Sequence, residues 1–507
     1  MTRPVRTLTT WKTYRGPAAT GLPSLVGLPG VHVDQAEPEQ VLETERYDTT
    51  DRRLAAARIV LTAERGDGPA RWQLQLPDGD SVETLRVSAN GAPVPPEDFT
   101  VLLRGASRGR QVRPVGRIRT VRVIARLLGT DDRILALVVR DHVTVATQGR
   151  STTIASWTEV ELRRAEGSAK LMTAVQERLI ESGVTPVDAP GGSALTELDR
   201  LLDVSTAQRR PAGKPGTAGA VLLDYLAAHV DKLAAEDLRV RRNEPDAVHQ
   251  LRVNSRRLRS ALQAYRPLLD RKRTDPLVDG LRTLGRQLAP ARDAEVLHER
   301  ISSGLAELDP TLLLGPVQAQ VTRHFARAES EARAAVLAEL DSDRYVALRS
   351  VLDGLLDRPP LTKRARRPAR KELPKIVAKS ARSLQRAVIA ATDPDDRGRD
   401  EAVHTARKSA KRLRYATDVA RPAVGKPAKR FGKGLKGLQA ALGEHQDTVV
   451  ARGVLRGLGA QAHSAGENGF SFGVLHGRDA AGARATEARL PKLWTAAWRP
   501  ELRKWLS

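Results

Sequence analysis

Hydrophobic and polar residues alternate at every second position through much of residues 40–165. The clearest case is Trp72, Leu74 and Leu76, which alternate with glutamines and are followed by a Pro-Asp-Gly turn signal. A period of two is typical of a β-strand that has one buried and one polar face. The pattern therefore predicts an antiparallel β domain, and an amphipathic run ending in glycine predicts a helix over residues 167–183.

The hydrophobic pattern changes further along the chain. Apolar residues between Leu222 and Val230 recur every three or four positions, which is typical of a helix. A stretch rich in Pro, Gly and small polar residues separates the two patterns and predicts a linker. We therefore expect a multi-domain α+β protein with a β domain over residues 1–200, a linker over 201–217 and an all-α domain over 218–507.

The chain has 507 residues, which is too long for a single ordinary core, and its formal net charge is +24. Residues 1–200 contain 27 basic and 25 acidic residues, whereas the remaining residues contain 57 basic and 35 acidic ones. The predicted helical half therefore carries nearly all of the positive field. Such a field favours salt-dependent binding of a polyanion. The alternative is a set of solvated basic faces without a ligand.

The composition also excludes several classes of protein. The chain has no cysteine, so disulfides, thiolate metal sites and a cysteine nucleophile are excluded. No run approaches the roughly 20 uncharged apolar residues of a membrane span, and the N-terminus has no apolar signal core. We therefore expect a cytoplasmic protein without a membrane partner.

The helical half contains two copies of one basic motif, which begin at His249 and His404. In both copies basic residues follow the histidine at +7, +8 and +10 as well as at +3, and leucine follows at +9. On a helix, positions 0, +3, +7 and +10 share one face. The two predicted stripes are His249, Arg252, Arg256 and Arg259 in the first copy, and His404, Arg407, Lys411 and Arg414 in the second.

Like charges at these spacings repel by about 0.2–0.5 kcal/mol per pair, and no equal stripe of acidic residues lies nearby in sequence. We therefore expect a negatively charged ligand to compensate the stripes. Arginine suits bidentate contact with phosphate and lysine suits point-charge contact. Recognition of nucleobases would instead require aromatic or amide side chains among the bases. Because these stripes offer few, a repeating phosphate chain fits better than a specific nucleic acid.

The two motif copies resemble the CHAD family, the conserved histidine α-helical domain, over residues 218–465. Further shared elements are Arg292-Asp293 and Gln446-Asp447. The resemblance implies two pseudo-symmetric four-helix bundles around a basic pore, a role in binding inorganic polyphosphate and association with polyphosphate granules. It assigns polyphosphate binding to His249, Arg252, Arg256, Arg257, Arg259, Arg282, Arg286, His404, Arg407, Lys408, Lys411, Arg412, Arg414, Lys433 and Lys436.

The N-terminal half resembles the CYTH domain of the triphosphate tunnel metalloenzymes over about residues 20–200. The resemblance is carried by fragments such as Trp72-Gln-Leu-Gln-Leu-Pro and Trp157-Thr-Glu-Val-Glu-Leu. It implies a tunnel of antiparallel strands that hydrolyses triphosphate-like substrates with a divalent metal. The vestigial tunnel residues that it leaves in this chain are Arg117, Arg119, Arg122, Glu159 and Glu161.

The sequence departs from the family at the residues that would hold the metal. The family opens with Glu-x-Glu-x-Lys, but residues 8–14 of this chain read Leu-Thr-Thr-Trp-Lys-Thr-Tyr. A divalent cation poised on phosphate normally needs carboxylate ligands. We therefore expect an inactive tunnel domain with no catalytic residue, no metal site and no cofactor. The alternative is a metal-dependent triphosphatase or polyphosphatase in this domain, which would require a divalent metal. The oligomeric state stays open.

Overall fold

The computed structural model describes residues 9–78, 81–89, 94–149, 151–187, 194–203, 213–392 and 398–506. The chain divides into two compact units, residues 1–207 and 208–507. This division falls within the segment predicted as a linker, of which residues 204–212 lie outside the described residues.

The N-terminal unit is built on one antiparallel sheet, as the alternating pattern predicted. Its strands in the described residues are β1 (Thr9–Pro17), β2 (Val33–Ala36), β3 (Gln40–Asp48), β4 (Val60–Arg65), β5 (Arg71–Asp78), β6 (Ser81–Ser88), β7 (Arg113–Leu128), β8 (Ile134–Thr147), β9 (Ile154–Arg164) and β10 (Thr185–Val187). Neighbouring strands follow the order β10-β1-β9-β8-β7-β3-β4-β5-β6, and β2 pairs with β7.

Short helices cover both faces of this sheet. They are α1 (Arg53–Ala56), α2 (Glu97–Ser107), α3 (Ala169–Glu181) and α4 (Ala194–Leu201). Helix α3, the predicted 167–183 helix, is capped by Ser168 and packs against one face of β7, β8 and β9. Leu198 of α4 packs against the opposite face, in a space that Gly116 leaves open. A Cβ atom added at Gly116 would lie 2.5 Å from the Leu198 side chain.

The C-terminal unit is all-α among its described residues, as the helical period predicted. Its helices are α5 (Ala218–Arg241), α6 (Ala247–Ala264), α7 (Arg271–Gln287), α8 (Ala289–Ala306), α9 (Val317–Asp341), α10 (Asp343–Asp357), α11 (Ala369–Ala391), α12 (Arg399–Val424), α13 (Lys426–Ser464), α14 (Phe470–Ala497) and α15 (Pro500–Arg503). Within the described ranges, none of the helices combines the length and the apolar character needed to cross a membrane.

The sequence repeat appears as two sets of helices, α5–α10 and α11–α14. His249 lies on α6 and His404 on α12, which is the second helix of each set. The two sets share one hydrophobic core, and α6 packs against α12. A hydrogen bond also joins the sets, because the Tyr265 hydroxyl donates to the Ala416 carbonyl at 2.7 Å.

The two sets differ in the helix that follows the motif. In the first set the helix is interrupted between α7 and α8, and Pro290 occupies the first turn of α8. Proline has no backbone N–H to donate and is therefore tolerated at such a helix start. In the second set the equivalent position is Glu444, and α13 continues without interruption for 39 residues.

Candidate functional site

The structure brings both motif copies to one cavity of about 510 Å³, lined by residues of α6, α8, α12 and α13. The lining contains seven arginine and lysine side chains, two histidines and two aspartates. Positive charge is therefore in clear excess. The predicted binding residues that line this cavity are His249, Arg252, Arg256, His404, Arg407, Lys408 and Lys411.

Each copy contributes one arginine–aspartate pair at an equivalent position. In the first copy Arg252 donates to Asp293 at 2.9 Å and to the Ala289 carbonyl at 3.2 Å. In the second copy Arg407 lies 3.6 Å from Asp447. The helix that carries the motif is thus connected in the same way to the helix behind it in both copies.

The two motif histidines have different surroundings. The His404 Nδ1 atom is hydrogen-bonded to the side-chain oxygen of Gln446 on α13. In the first copy Arg292 takes the place of this glutamine. Burial, reinforced by the nearby positive charge of Arg292, lowers the pKa of His249 below its usual range. The neutral imidazole is therefore favoured at His249.

Burial also perturbs the charged groups deeper in the cavity. Desolvation, together with the positive charges of Arg407 and Arg256, lowers the pKa of Lys411 to about 7. Desolvation likewise lowers the pKa of Arg407 and raises the pKa of Asp447. All three shifts disfavour the charged form of the side chain. An anion entering the cavity would oppose the shift at Lys411 and Arg407, because it stabilises their charged forms.

Arg256 is held in place by an aromatic residue of the other copy. Its Nε atom donates to the Tyr415 hydroxyl at 3.0 Å, and its guanidinium lies 5.9 Å from the centre of the Tyr415 ring. Such contacts fix a guanidinium without neutralising it. Arg256 is therefore positioned for a ligand while its charge remains uncompensated.

Other predicted residues lie outside the cavity lining. Arg259 and Arg414 lie outside the lining because position +10 is about 15 Å along the helix from the histidine. Arg259 adjoins Arg256, Arg282 and Arg412, and burial lowers its pKa. These bases extend the positive surface beyond the cavity.

The remaining predicted bases have other environments. Arg257 lies over the Tyr415 ring and 3.8 Å from Asp418, because position +8 points away from the cavity. Arg282 pairs with Asp279 at 2.5 Å. Arg286 donates to Thr283 at 3.4 Å. Four further predicted residues also lie outside the lining and are exposed, namely Arg412, Arg414, Lys433 and Lys436.

The cavity also contains residues that the sequence did not assign to the site. Arg292, Asp293, Gln446 and Asp447 line it, and their recurrence in both copies was the signal that could have identified them. Arg300 lines it too, and its guanidinium pairs with Glu444 at 3.0 Å and Asp479 at 2.7 Å. The repeat gave no indication that Arg300 belongs to the site, because Arg300 does not recur in the second copy.

The vestigial tunnel residues of the N-terminal unit do not lie on one face of the sheet. Arg117 and Arg119 project from the opposite face to Arg122, because alternate residues of a strand point in opposite directions. Arg122 shares its face with Asp141 and Glu159, which lie beside it on β8 and β9. Arg117 and Arg119 therefore lie on a different face of the sheet from Arg122, Asp141 and Glu159.

Each of these residues also has a local partner. The paired carboxylate lies 3.1 Å away for Arg117, 3.9 Å for Arg119 and 2.7 Å for Arg122. Glu159 accepts from the Trp157 indole at 2.7 Å. Glu161 accepts from Thr10 at 2.5 Å and from Arg163 at 2.6 Å. Hydrogen bonding to Arg163 lowers the pKa of Glu161.

One group of side chains in the C-terminal unit has ligand types suited to a metal. The ligand atoms of Asp400, His445 and Glu487 all lie within 4.8 Å of one another. Both carboxylates already face arginines, since Arg452 lies 3.4 Å from Asp400 and Arg399 lies 3.8 Å from Glu487. The buried His445 donates from Nε2 to the Glu487 carboxylate at 2.8 Å. These contacts account for the group as an ion-pair network.

Comparison with known proteins places the cavity in a recognised domain. The family model described as "CHAD domain" matches residues 224–456. Two uncharacterised proteins of Mycobacterium tuberculosis strains are each 32% identical over 499 residues, covering 94% of this chain and 94% of the relative.

Solved structures also show similarity. PptA from Streptomyces chartreusis is 22% identical with a TM-score of 0.47, and the match covers 55% of this chain and 99% of that one. The CHAD domain from the plant Ricinus communis is 23% identical with a TM-score of 0.45, over 57% of this chain and 95% of that one. For the HpAC1 protein of Hippeastrum, described as having a dominant triphosphatase activity, the identity is 13%, the TM-score 0.22, and the coverage 37% and 94%.

Proposed function

This chain belongs to the CHAD domain family, and we propose that its helical unit binds inorganic polyphosphate in the cavity between α6, α8, α12 and α13. The observation that carries the proposal is the uncompensated positive charge of this cavity. Seven arginine and lysine side chains face two aspartates there, and the bases come from both copies of the repeat. Keeping so many like charges together is unfavourable unless an anion neutralises them.

The chemistry of the lining favours a phosphate chain over a nucleic acid. Arginine and lysine together offer bidentate and point-charge contacts to phosphate oxygens. Apart from the two motif histidines, the residues of the lining without a charge are valines, a leucine and the single amide Gln446, and the lining contains no Phe, Tyr or Trp on which a base could stack. A polymer whose every unit is an anion matches this surface better than one that carries bases.

The basic groups of the cavity differ in how readily they can contact a ligand. Arg256 carries no carboxylate partner among its described contacts, and Lys411 is only about half protonated near pH 7 before an anion stabilises its charged form. Arg252 and Arg407 each face an aspartate, so a phosphate must share or replace that contact. Arg256 and Lys411 are therefore the residues expected to gain most from the ligand.

We propose further that this binding associates the protein with polyphosphate granules in the cytoplasm. The N-terminal unit would then act as a scaffold without catalysis. Its basic residues Arg117, Arg119 and Arg122 already have carboxylate partners, which supports this role.

The test is a binding competition with the full chain. Labelled polyphosphate of moderate length should be displaced by unlabelled polyphosphate at a far lower concentration than by duplex DNA of equal total charge. If duplex DNA competes as well as polyphosphate, the cavity is a general polyanion site and the proposal fails. Repeating the measurement at two salt concentrations separates the ionic contribution, which salt weakens.

A variant localises the binding to the cavity. Arg256→Gln together with Lys411→Gln should weaken polyphosphate binding by roughly 100-fold, since each charge-assisted contact contributes about 1.5–3 kcal/mol. The matched control is Arg484→Gln with Lys492→Gln, which removes the same charge from exposed positions of α14. Equal losses in the two variants would show that net charge, and not the cavity, determines the affinity.

A further inference from the structure

The outer face of α11 carries an exposed row of basic side chains that is separate from the cavity. The row consists of Lys371, Lys375, Lys379, Arg382 and Arg386. Successive members are three or four residues apart, so they lie along one ridge about 22 Å long. All five are exposed, and none of them lines the cavity.

The row lacks compensation within the described part of the chain. No salt bridge or side-chain hydrogen bond joins any of the five to a described residue. Neighbouring members carry like charges at spacings where such charges repel. The helix therefore bears an electrostatic cost that its own surroundings do not offset.

The equivalent helix of the first set shows that the fold does not require this row. Helices α5 and α11 each begin a set, and each packs against the motif helix that follows it. Both bury an apolar face, exemplified by Leu226 in α5 and Leu384 in α11. The exposed positions of α5, however, are Asp224, Ala228, Asp231, Lys232 and Ala235. The same structural position is thus basic in one copy and weakly acidic in the other.

We propose that the row on α11 (Lys371, Lys375, Lys379, Arg382 and Arg386) is a second binding surface for polyphosphate, which holds a further segment of a long chain outside the cavity. This inference rests on the proposed function of the cavity. It implies that chain length governs affinity, because only a long polymer can occupy both positions and gain effective concentration from the first contact.

The form of the row favours a flexible linear polyanion. It is one side chain wide, and the half-buried residues between its bases are Ala378, Ser380, Ser383 and Gln385, none of which is a large apolar residue. A membrane-binding helix would place large apolar side chains beside its bases. In the described part of α11 the one large exposed apolar side chain is Ile389, which lies beyond the last base.

The experiment compares short and long polyphosphate on the full chain. The row variant Lys375→Gln, Lys379→Gln, Arg382→Gln should bind a short chain, of a size that the cavity alone can hold, with unchanged affinity. Its affinity for a chain of about a hundred units should fall by roughly tenfold, because the contribution of the second contact is lost. Unchanged affinity for the long chain would overturn the inference.

Two further arms make the outcome specific. The control variant Arg484→Gln, Arg489→Gln, Lys492→Gln removes three bases from the exposed surface of α14 and should leave the long-chain affinity within about twofold of wild type, as expected for non-specific charge effects. A fall equal to that of the row variant would overturn the inference. The cavity variant Arg256→Gln, Lys411→Gln tests the proposed function separately, since failure of that function would appear as unchanged short-chain affinity. The row variant should also be tested with duplex DNA. If its affinity for duplex DNA falls as much as its affinity for the long phosphate chain, the row binds any polyanion and the assignment is contradicted.

Discussion

The two units of this protein differ in whether their arginines are paired with carboxylates. In the sheet of the N-terminal unit, Arg117, Arg119 and Arg122 each face a carboxylate on a neighbouring strand. In the cavity of the helical unit, positively charged side chains outnumber carboxylates by seven to two. Both regions contain several arginines, yet only the cavity has more positive charges than carboxylates to pair with them.

The comparison teaches that an excess of charge, and not its presence, indicates a ligand site. Paired surface charges contribute little to stability and need no further partner. Clustered like charges in a partly buried space are unfavourable and persist where something else neutralises them. The following predictions test this difference between the two units.

The largest effect is expected from reversing charge in the cavity, and the same change in the sheet should have almost none. Arg256→Glu with Lys411→Glu should reduce polyphosphate affinity by at least about 100-fold, because two favourable contacts become repulsive. The same reversal at Arg117 and Arg119 should leave affinity within about twofold, since these bases are already paired in the other unit. Isothermal titration calorimetry on both variants would check this, and a comparable loss in the sheet variant would remove the distinction.

The pH dependence of binding should come mainly from Lys411. Its pKa of about 7 is below that of an ordinary lysine, so the side chain carries its positive charge below pH 7 and loses it above. Affinity should therefore fall by roughly tenfold between pH 6 and pH 8, as expected for the loss of one contact of about 1.4 kcal/mol. Lys411→Arg should flatten the profile because arginine stays protonated. A profile unchanged by this substitution would refute the role of Lys411.

A smaller effect is expected from removing a carboxylate that competes with the ligand. Asp447→Asn should raise polyphosphate affinity by about threefold, since the aspartate faces Arg407 and opposes an incoming anion. Asp293→Asn should act in the same direction through Arg252. Surface plasmon resonance at constant ionic strength would measure both, and weaker binding would show that the aspartates position the arginines more than they compete.

In the sheet, pairing should matter for folding and not for binding. Arg122→Gln removes the partner of Asp141 and should lower the free energy of unfolding of the N-terminal unit by about 0.5–1 kcal/mol, because the pair is only partly exposed. Thermal denaturation would detect this change. Polyphosphate affinity should not change, and a loss would connect this residue to the ligand.

The last prediction is an absence of effect. The full chain should release no phosphate from triphosphate or polyphosphate in the presence of Mg²⁺ or Mn²⁺, since the opening carboxylates of the tunnel family are missing. Glu159→Gln with Glu161→Gln should therefore change nothing in a phosphate-release assay. Metal-dependent release that this variant abolishes would instead establish the triphosphatase alternative.

The sequence predicted the fold because periodicity reports burial directly. The alternation at Trp72, Leu74 and Leu76 matches a strand that buries these three residues, and the leucine stripe from Leu222 matches the buried face of α5. The alternation also held the information that Arg117 and Arg122 point to opposite faces. A family resemblance, in contrast, identifies such residues without indicating which face of the strand each one occupies.

The candidate site was only partly predictable. Helical spacing placed His249, Arg252 and Arg256 together, and repetition placed His404, Arg407 and Lys411 likewise. Spacing could not show where the face ends, so position +10 was included although it lies beyond the cavity. Arg300 could not be found either, because its place in the cavity depends on tertiary packing of α8.

The contacts between the two copies have a consequence for dividing the domain into separately expressed fragments. Tyr265 reaches the backbone of α12, and Tyr415 holds Arg256 of α6, so each half supplies part of its neighbour's structure. The arrangement resembles a symmetric dimer fused into a single polypeptide. Expressing either set of helices by itself should yield a protein with an uncovered apolar surface. Mixing the two sets should be needed to restore the complete binding domain.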